Sequence, residues 1–148
     1  MIVLTTLGPL VLLILCTVFF MRRHGKKQRQ KQRLAFEAAC AKRGFQLQYL
    51  LQRPDSIAAL HTHGGEMAWA DSNDAAAVHF YPLKKTGEPI LHIKRARQQI
   101  QKITLQPPYA NGAKNAPDIV FYDELRDRES LLDAAVAESK KWEQAIRM

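Results

Sequence analysis

Cysteine is scarce in this sequence. The 148 residues hold two, Cys16 and Cys40, the first inside an apolar run and the second in a stretch with helical spacing. One is expected in lipid and the other outside it, so they cannot pair, and a disulfide framework is excluded. Glycine is also sparse. Its seven copies form neither a phosphate-binding loop nor a dinucleotide fingerprint. The four serines, Ser56, Ser72, Ser130 and Ser139, stand outside any G-x-S-x-G frame. Nucleophilic and nucleotide-dependent chemistry thus lose their usual signatures, and an enzyme is not the expectation.

Two local absences say more. Residues 2–21 contain no charged side chain, and residues 22–33 contain no acid. A helix of 20 residues spans about 30 Å, the thickness of one hydrocarbon core. Thr5, Thr6 and Thr17 are the weakly polar members, and Pro9 stands where a spanning helix tolerates it, near an end. A cleaved signal peptide would place cations before the apolar region and small residues after it. Here the order is inverted, so residues 2–21 read as a retained transmembrane helix.

The cations follow at once. Arg22, Arg23, Lys26, Lys27, Arg29, Lys31 and Arg33 account for seven of the eight excess positive charges. The remaining 15 Lys and Arg face 14 acids, which leaves the rest of the chain near neutrality and without the basic face that nucleic acid requires. Cations flanking a span stay on the cytoplasmic side. The expected topology is a single-pass inner-membrane protein with the N-terminus outside and the domain in the cytoplasm. The same seven residues are expected to meet lipid headgroups.

Three parts are expected: a membrane helix over 2–21, a basic juxtamembrane segment and helical stalk over 22–44, and a domain over 45–148. In the stalk Leu34, Phe36, Ala39 and Cys40 recur at helical spacing until Gly44, which suits a left-handed helix end. The period then changes to two. "FQLQYLLQ" alternates Phe45, Leu47, Tyr49 and Leu51 against Gln46, Gln48 and Leu50. "SIAALHT" meets "EMAWAD" across His63-Gly64-Gly65, and strands are also expected at "AAVHFYP", "PILHIK", "QIQKITLQ" and "DIVFYD". In "QIQKITLQ" the alternation puts Ile100 with Lys102 and Thr104, opposite Ile103 and Leu105. Residues 107–117 read as a loop. From Glu129 onward a helix is expected, with Leu132, Ala135, Ser139, Trp142 and Ile146 on its apolar stripe and Glu138, Lys140, Lys141 and Glu143 facing away.

The fold class is thus α+β: about seven short, mostly antiparallel strands and a C-terminal amphipathic helix. That order, with Trp142 in the last helix, resembles the pleckstrin-homology-like barrel of small membrane-anchored bacterial domains over residues 45–148. The resemblance implies binding of lipids, peptides or partner proteins. A sheet with helices on one face is the other architecture.

Candidate sites are few. His61 and His63 two apart on a strand would share a face and could meet one metal, with His79 and His92 as further ligands. Asp123, Glu124, Asp127 and Glu129 gather before the last helix, interleaved with Arg126 and Arg128. Lys94, Arg95 and Arg97, with Lys102, form a second basic cluster that could touch a phosphate surface, and Tyr109 marks the loop as a recognition element. The leading expectation is a non-enzymatic adaptor or assembly subunit, without cofactor or nucleic acid, that meets the bilayer and a protein partner. The alternatives are a membrane-tethered metal-dependent enzyme using His61 and His63, and an anionic-lipid sensor using residues 94–97.

Overall fold

The computed structural model describes residues 2–61, 65–110 and 115–147. Helix α1, Ile2–Lys42, runs unbroken through the end of the apolar run, with Pro9 inside it. Its 41 residues extend about 60 Å at 1.5 Å per residue. The helix is long and apolar enough to cross a membrane, and from Leu7 on the described part of its apolar run is not buried against the protein. Leu10, Leu12, Leu13, Leu15, Phe19 and Phe20 stand exposed around its circumference. Thr17 satisfies its hydroxyl by donating to the carbonyls of Leu13 and Ile14. Gly44 ends the helix at φ +76°, and the Phe45 amide returns to the Cys40 carbonyl at 3.0 Å, as the sequence led us to expect.

Among the described residues seven strands follow: β1 (Leu47–Gln52), β2 (Ser56–His61), β3 (Glu66–Asp71), β4 (His79–Pro82), β5 (Ile90–Ala96), β6 (Gln99–Gln106) and β7 (Ile119–Asp123). Helix α2, Leu132–Arg147, closes the chain after a 3-10 turn at Glu129–Leu131. The α+β class holds. The barrel does not: β1-β2-β3-β4 and β5-β6-β7 form two separate antiparallel sheets. Proline explains the break between them. Pro82 and Pro89 bracket the β4–β5 connection and lack the amides a continuous ladder needs. Among the described residues, one isolated bridge, Leu83 to Tyr109, joins the chain after β4 to the chain after β6.

The first sheet is covered on both faces. Ile57 and Ala59 of β2 and Ala68 and Ala70 of β3 pack with Phe36 and Cys40 of α1. Ala58, Leu60 and Met67 point the other way, into a core shared with Ile103, Leu105, Ile119, Phe121 and Trp142. Alanine on the helix-facing side leaves room for α1 to lie close. The stalk residues from Phe36 to Cys40 therefore belong to the domain's core, although the period change at Gly44 marks the boundary of the sheet.

Bulges correct the simple alternation at three places. In β1 the register shifts between Leu47 and Tyr49, so Leu47 and Leu50 face the stalk while Tyr49 and Leu51 face the central core. In β6, Lys102 pairs with Lys94 but Ile100 pairs with Arg95, which leaves Gln101 as the extra residue. Ile100 is thereby returned to the core side with Ile103 and Leu105. In β7 the extra residue is Phe121, and both Phe121 and Tyr122 are buried.

Helix α2 buries Ala135, Ser139 and Trp142. The Trp142 ring lies edge-on to Phe121 at 5.6 Å and 6.3 Å from Tyr49, so one side chain touches both sheets. Its indole N–H donates to Glu138 Oε1 at 3.2 Å, which draws Glu138 toward the core rather than away from it.

Candidate functional site

A heavily charged feature lies where the domain meets the stalk. On α1 the side chains of Phe19, Arg22, Lys26 and Arg29 recur at intervals of three and four and share one face. Gly25 interrupts that face, and a Cβ there would meet open space. Gln52, at the end of β1, donates from Nε2 to the Arg29 carbonyl at 2.8 Å. That bond holds the β1–β2 turn against the stalk.

The next residue does the following step. Arg53 Nη1 donates to Asp127 Oδ2 at 2.7 Å, with side-chain exposures of 10% and 7%, and to the Phe121 carbonyl at 3.3 Å. Asp127 Oδ2 also accepts the Asp123 amide at 2.8 Å. Two residues on from Arg53, Asp55 pairs with Arg126 at 2.9 Å on the exposed side. The β7–α2 loop is thus stapled beneath the β1–β2 turn, and Arg128 comes to the stalk. Together Phe19, Arg22, Arg23, Gly25, Lys26, Arg29 and Arg128 line a groove of about 1000 Å³. Five of the seven are cations, and no acid among the described residues lines it.

The four acids stay close around Tyr122, but two of them are already engaged. Asp127 is consumed by Arg53, and Asp123 caps its own turn by accepting the Leu125 amide. Glu124, Asp127 and Glu129 line a groove of about 450 Å³ with Arg95 and Tyr122. Burial, then the carboxylates of Glu129, Asp127, Glu124 and Asp123, raises the Tyr122 phenol above its usual range. Arg126 and Arg128, which alternate with these acids in sequence, leave them for Asp55 and the stalk.

The second basic cluster is placed on the β5–β6 hairpin. Lys94 stands opposite Lys102, and Lys102 is opposite Asp123 on the next strand. Arg97 and Gln98 form the tip with φ of +51° and +67°, the left-handed region that costs a side-chain-bearing residue about 1 kcal/mol. Tyr109 turns inward. Its hydroxyl donates to the Pro117 carbonyl and approaches Met67 Sδ, and its ring meets Tyr81 at 5.5 Å. Burial, then Asp118 and Tyr81, raises its phenol well above the usual range.

Of the histidine pair, His63 lies outside the described residues. His61 packs edge-on against Phe45 at 4.9 Å. His79 lies near Tyr81, and His92 is on the other sheet. Among the described residues no group of three or more His, Cys, Asp or Glu side chains gathers as a metal site. Cys40 is fully buried, and burial followed by the Glu37 charge pushes its thiol up to about 11. It is a packed thiol, not a nucleophile.

The sequence pattern exposed the stalk cations but missed Gln52, Arg53, Gly25 and Arg128. Nothing local to those four announces that they converge. Comparison of the chain with protein-family models, with curated proteins and with solved structures finds no match.

Proposed function

We propose that this chain is a single-pass membrane protein that holds a small, non-enzymatic adaptor domain against the cytoplasmic surface of the inner membrane. The observation that carries the reading is the unbroken α1. Its first half offers apolar side chains on every side, and its second half is built into the domain core through Phe36 and Cys40. An apolar helix with no protein cover favours lipid as its surroundings. Because the same helix is packed into the first sheet, the domain has little freedom to swing away. It sits as a fixed platform rather than on a flexible leash.

The adaptor role draws support from the surface. Leu125 is 88% exposed and Leu131 is 53% exposed in the segment entering α2. The turn that presents Leu125 is held by the Asp123 carboxylate and by the Arg126 and Asp127 amides returning to the Asp123 carbonyl. A rigid turn that offers a large apolar side chain suits a partner protein. The order of seven strands and then a helix agrees with the pleckstrin-homology-like resemblance, whose members bind rather than catalyse, although the sheets do not close into its barrel.

Three measurements test the reading. Under alkaline carbonate extraction the chain should remain with the membrane pellet, and a fluorescent reporter after Met148 should be active in the cytoplasm. A photo-crosslinker at Leu125 should give one discrete protein adduct, and one at Lys140 on the polar face of α2 should not. Release into the carbonate supernatant removes the anchor. Absence of any protein adduct at Leu125 removes the adaptor.

A further inference from the structure

The groove between stalk and loop is a concentration of unneutralised charge. The ion pairs of the described residues engage Arg33, Arg43, Arg53, Arg126 and Arg147, and none engages Arg22, Arg23, Lys26, Arg29 or Arg128. Arg22 and Lys26 are four apart on one helix, a like-charge spacing that destabilises a helix unless an anion sits between them. The tertiary fold adds a fifth cation from a loop about a hundred residues away in sequence, held there by the Gln52 and Arg53 bonds. An arrangement that collects cations at this density calls for a multivalent anion.

Position identifies its source. Arg29 starts about 12 Å beyond Met21, and its long side chain leans back toward the helix N-terminus, whereas Arg22, Arg23 and Lys26 rise only about 2–8 Å at 1.5 Å per residue. That is the depth of the headgroup layer, which adds about 5–8 Å to each side of the hydrocarbon core. Phe19 forms the end of the groove nearest the lipid, where an aromatic ring suits the interface. Gly25 leaves the middle of the cationic face without a side chain, so the groove has depth there.

We infer that this groove binds the phosphate-bearing headgroup of an anionic phospholipid, with Arg22, Lys26 and Arg29 on one side and Arg128 on the other. The inference rests on the membrane-anchored reading above. It gives the loop before α2 a second task, which is to clasp the lipid from the domain side. A headgroup so held would tie the orientation of the domain to the composition of the leaflet.

The test uses the full chain in mild detergent with equal parts phosphatidylglycerol and phosphatidylcholine, counting retained lipid by native mass spectrometry. Phosphatidylglycerol should be retained preferentially. Arg128→Gln should lower that retention about five-fold, the factor one cation contributes near an anionic surface. Lys31→Gln removes the same charge from the stalk but lines a different groove, beside Asp74, and should change little. Gly25→Leu alters no charge, fills the groove and should also lower retention. Equal losses from Arg128→Gln and Lys31→Gln, or no effect of Gly25→Leu, would reduce the site to diffuse attraction and overturn the proposal. Displacement of the lipid by excess inorganic phosphate would reassign the groove to a soluble anion. A chain that resists carbonate extraction yet shows no headgroup preference loses the lipid site and keeps its anchor. A chain that carbonate releases loses both.

Discussion

Arg53 and Asp127 stand 74 positions apart in sequence and meet at 2.7 Å, each almost wholly buried, across the seam between the two sheets. The pair joins the end of β1 to the loop after β7. Its guanidinium is not fully satisfied, because Arg53 Nε has no hydrogen-bond partner among the described residues. An arrangement of this kind is costly to bury and far more costly to break on one side.

Asp127→Ala should therefore destabilise the fold by about 3–5 kcal/mol, since it strands a buried guanidinium. Arg126→Ala, which removes the exposed pair to Asp55, should cost less than about 1 kcal/mol. Urea unfolding of the full chain in detergent, followed by tryptophan fluorescence, measures both. Similar losses would show that Arg53 and Asp127 are not buried together.

Ala68 faces Phe36 and Cys40 of the stalk with no exposed surface. Ala68→Leu should overpack that contact at a cost of about 1–3 kcal/mol and push α1 off the sheet. Maleimide should then label Cys40, which is shielded in the unaltered chain. Ala137→Leu, on the exposed side of α2, should leave both stability and labelling within error.

The Cys40 thiol gives stability a dependence on alkaline pH. Burial raises its folded value from 9.0 to about 11, so between those limits the unfolded chain loses the proton first and is favoured. Stability is complete below about pH 9 and should fall as pH rises toward 11. The raised phenols of Tyr109 and Tyr122 act in the same direction but begin near 10, their ordinary value. The slope between pH 9 and 10 thus belongs mainly to Cys40, and Cys40→Ala should flatten it whatever that change does to stability at pH 7. An unchanged slope would place the thiol in water.

The β5–β6 turn holds two side-chain-bearing residues, Arg97 and Gln98, at positive φ. The double change Arg97→Asn and Gln98→Gly supplies the residue types such a two-residue hairpin prefers and should stabilise the domain by about 1 kcal/mol. A rise in the melting temperature of the full chain checks it. If the melting temperature falls, the side chains of Arg97 or Gln98 make contacts that outweigh the backbone strain.

Local pattern made much of the architecture legible. The apolar run, the cations that follow it, the helix end at Gly44 and all seven strands stand in the order that their residues predict. These signals act over a few positions. A helix is set by neighbours three and four apart, a strand by neighbours two apart, and a left-handed helix end by one glycine. The inward stripe of α2 could be read for the same reason, apart from Glu138, which the Trp142 indole recruits.

What the sequence by itself determined, then, is the kind of each element and the direction of the chain from apolar helix to basic stalk to mixed domain. Tertiary structure decided which way the strands face and which charges meet. Tyr49, Ile100 and Tyr122 owe their inward placement to bulges, and a bulge is a property of two strands in register rather than of either alone. Arg53 meets Asp127 among fourteen acids, and Arg128 comes to the stalk instead of the acids beside it, because the packing of the two sheets fixes where each guanidinium lies. Electrostatic partners are selected by distance in space, which periodicity along the chain does not encode.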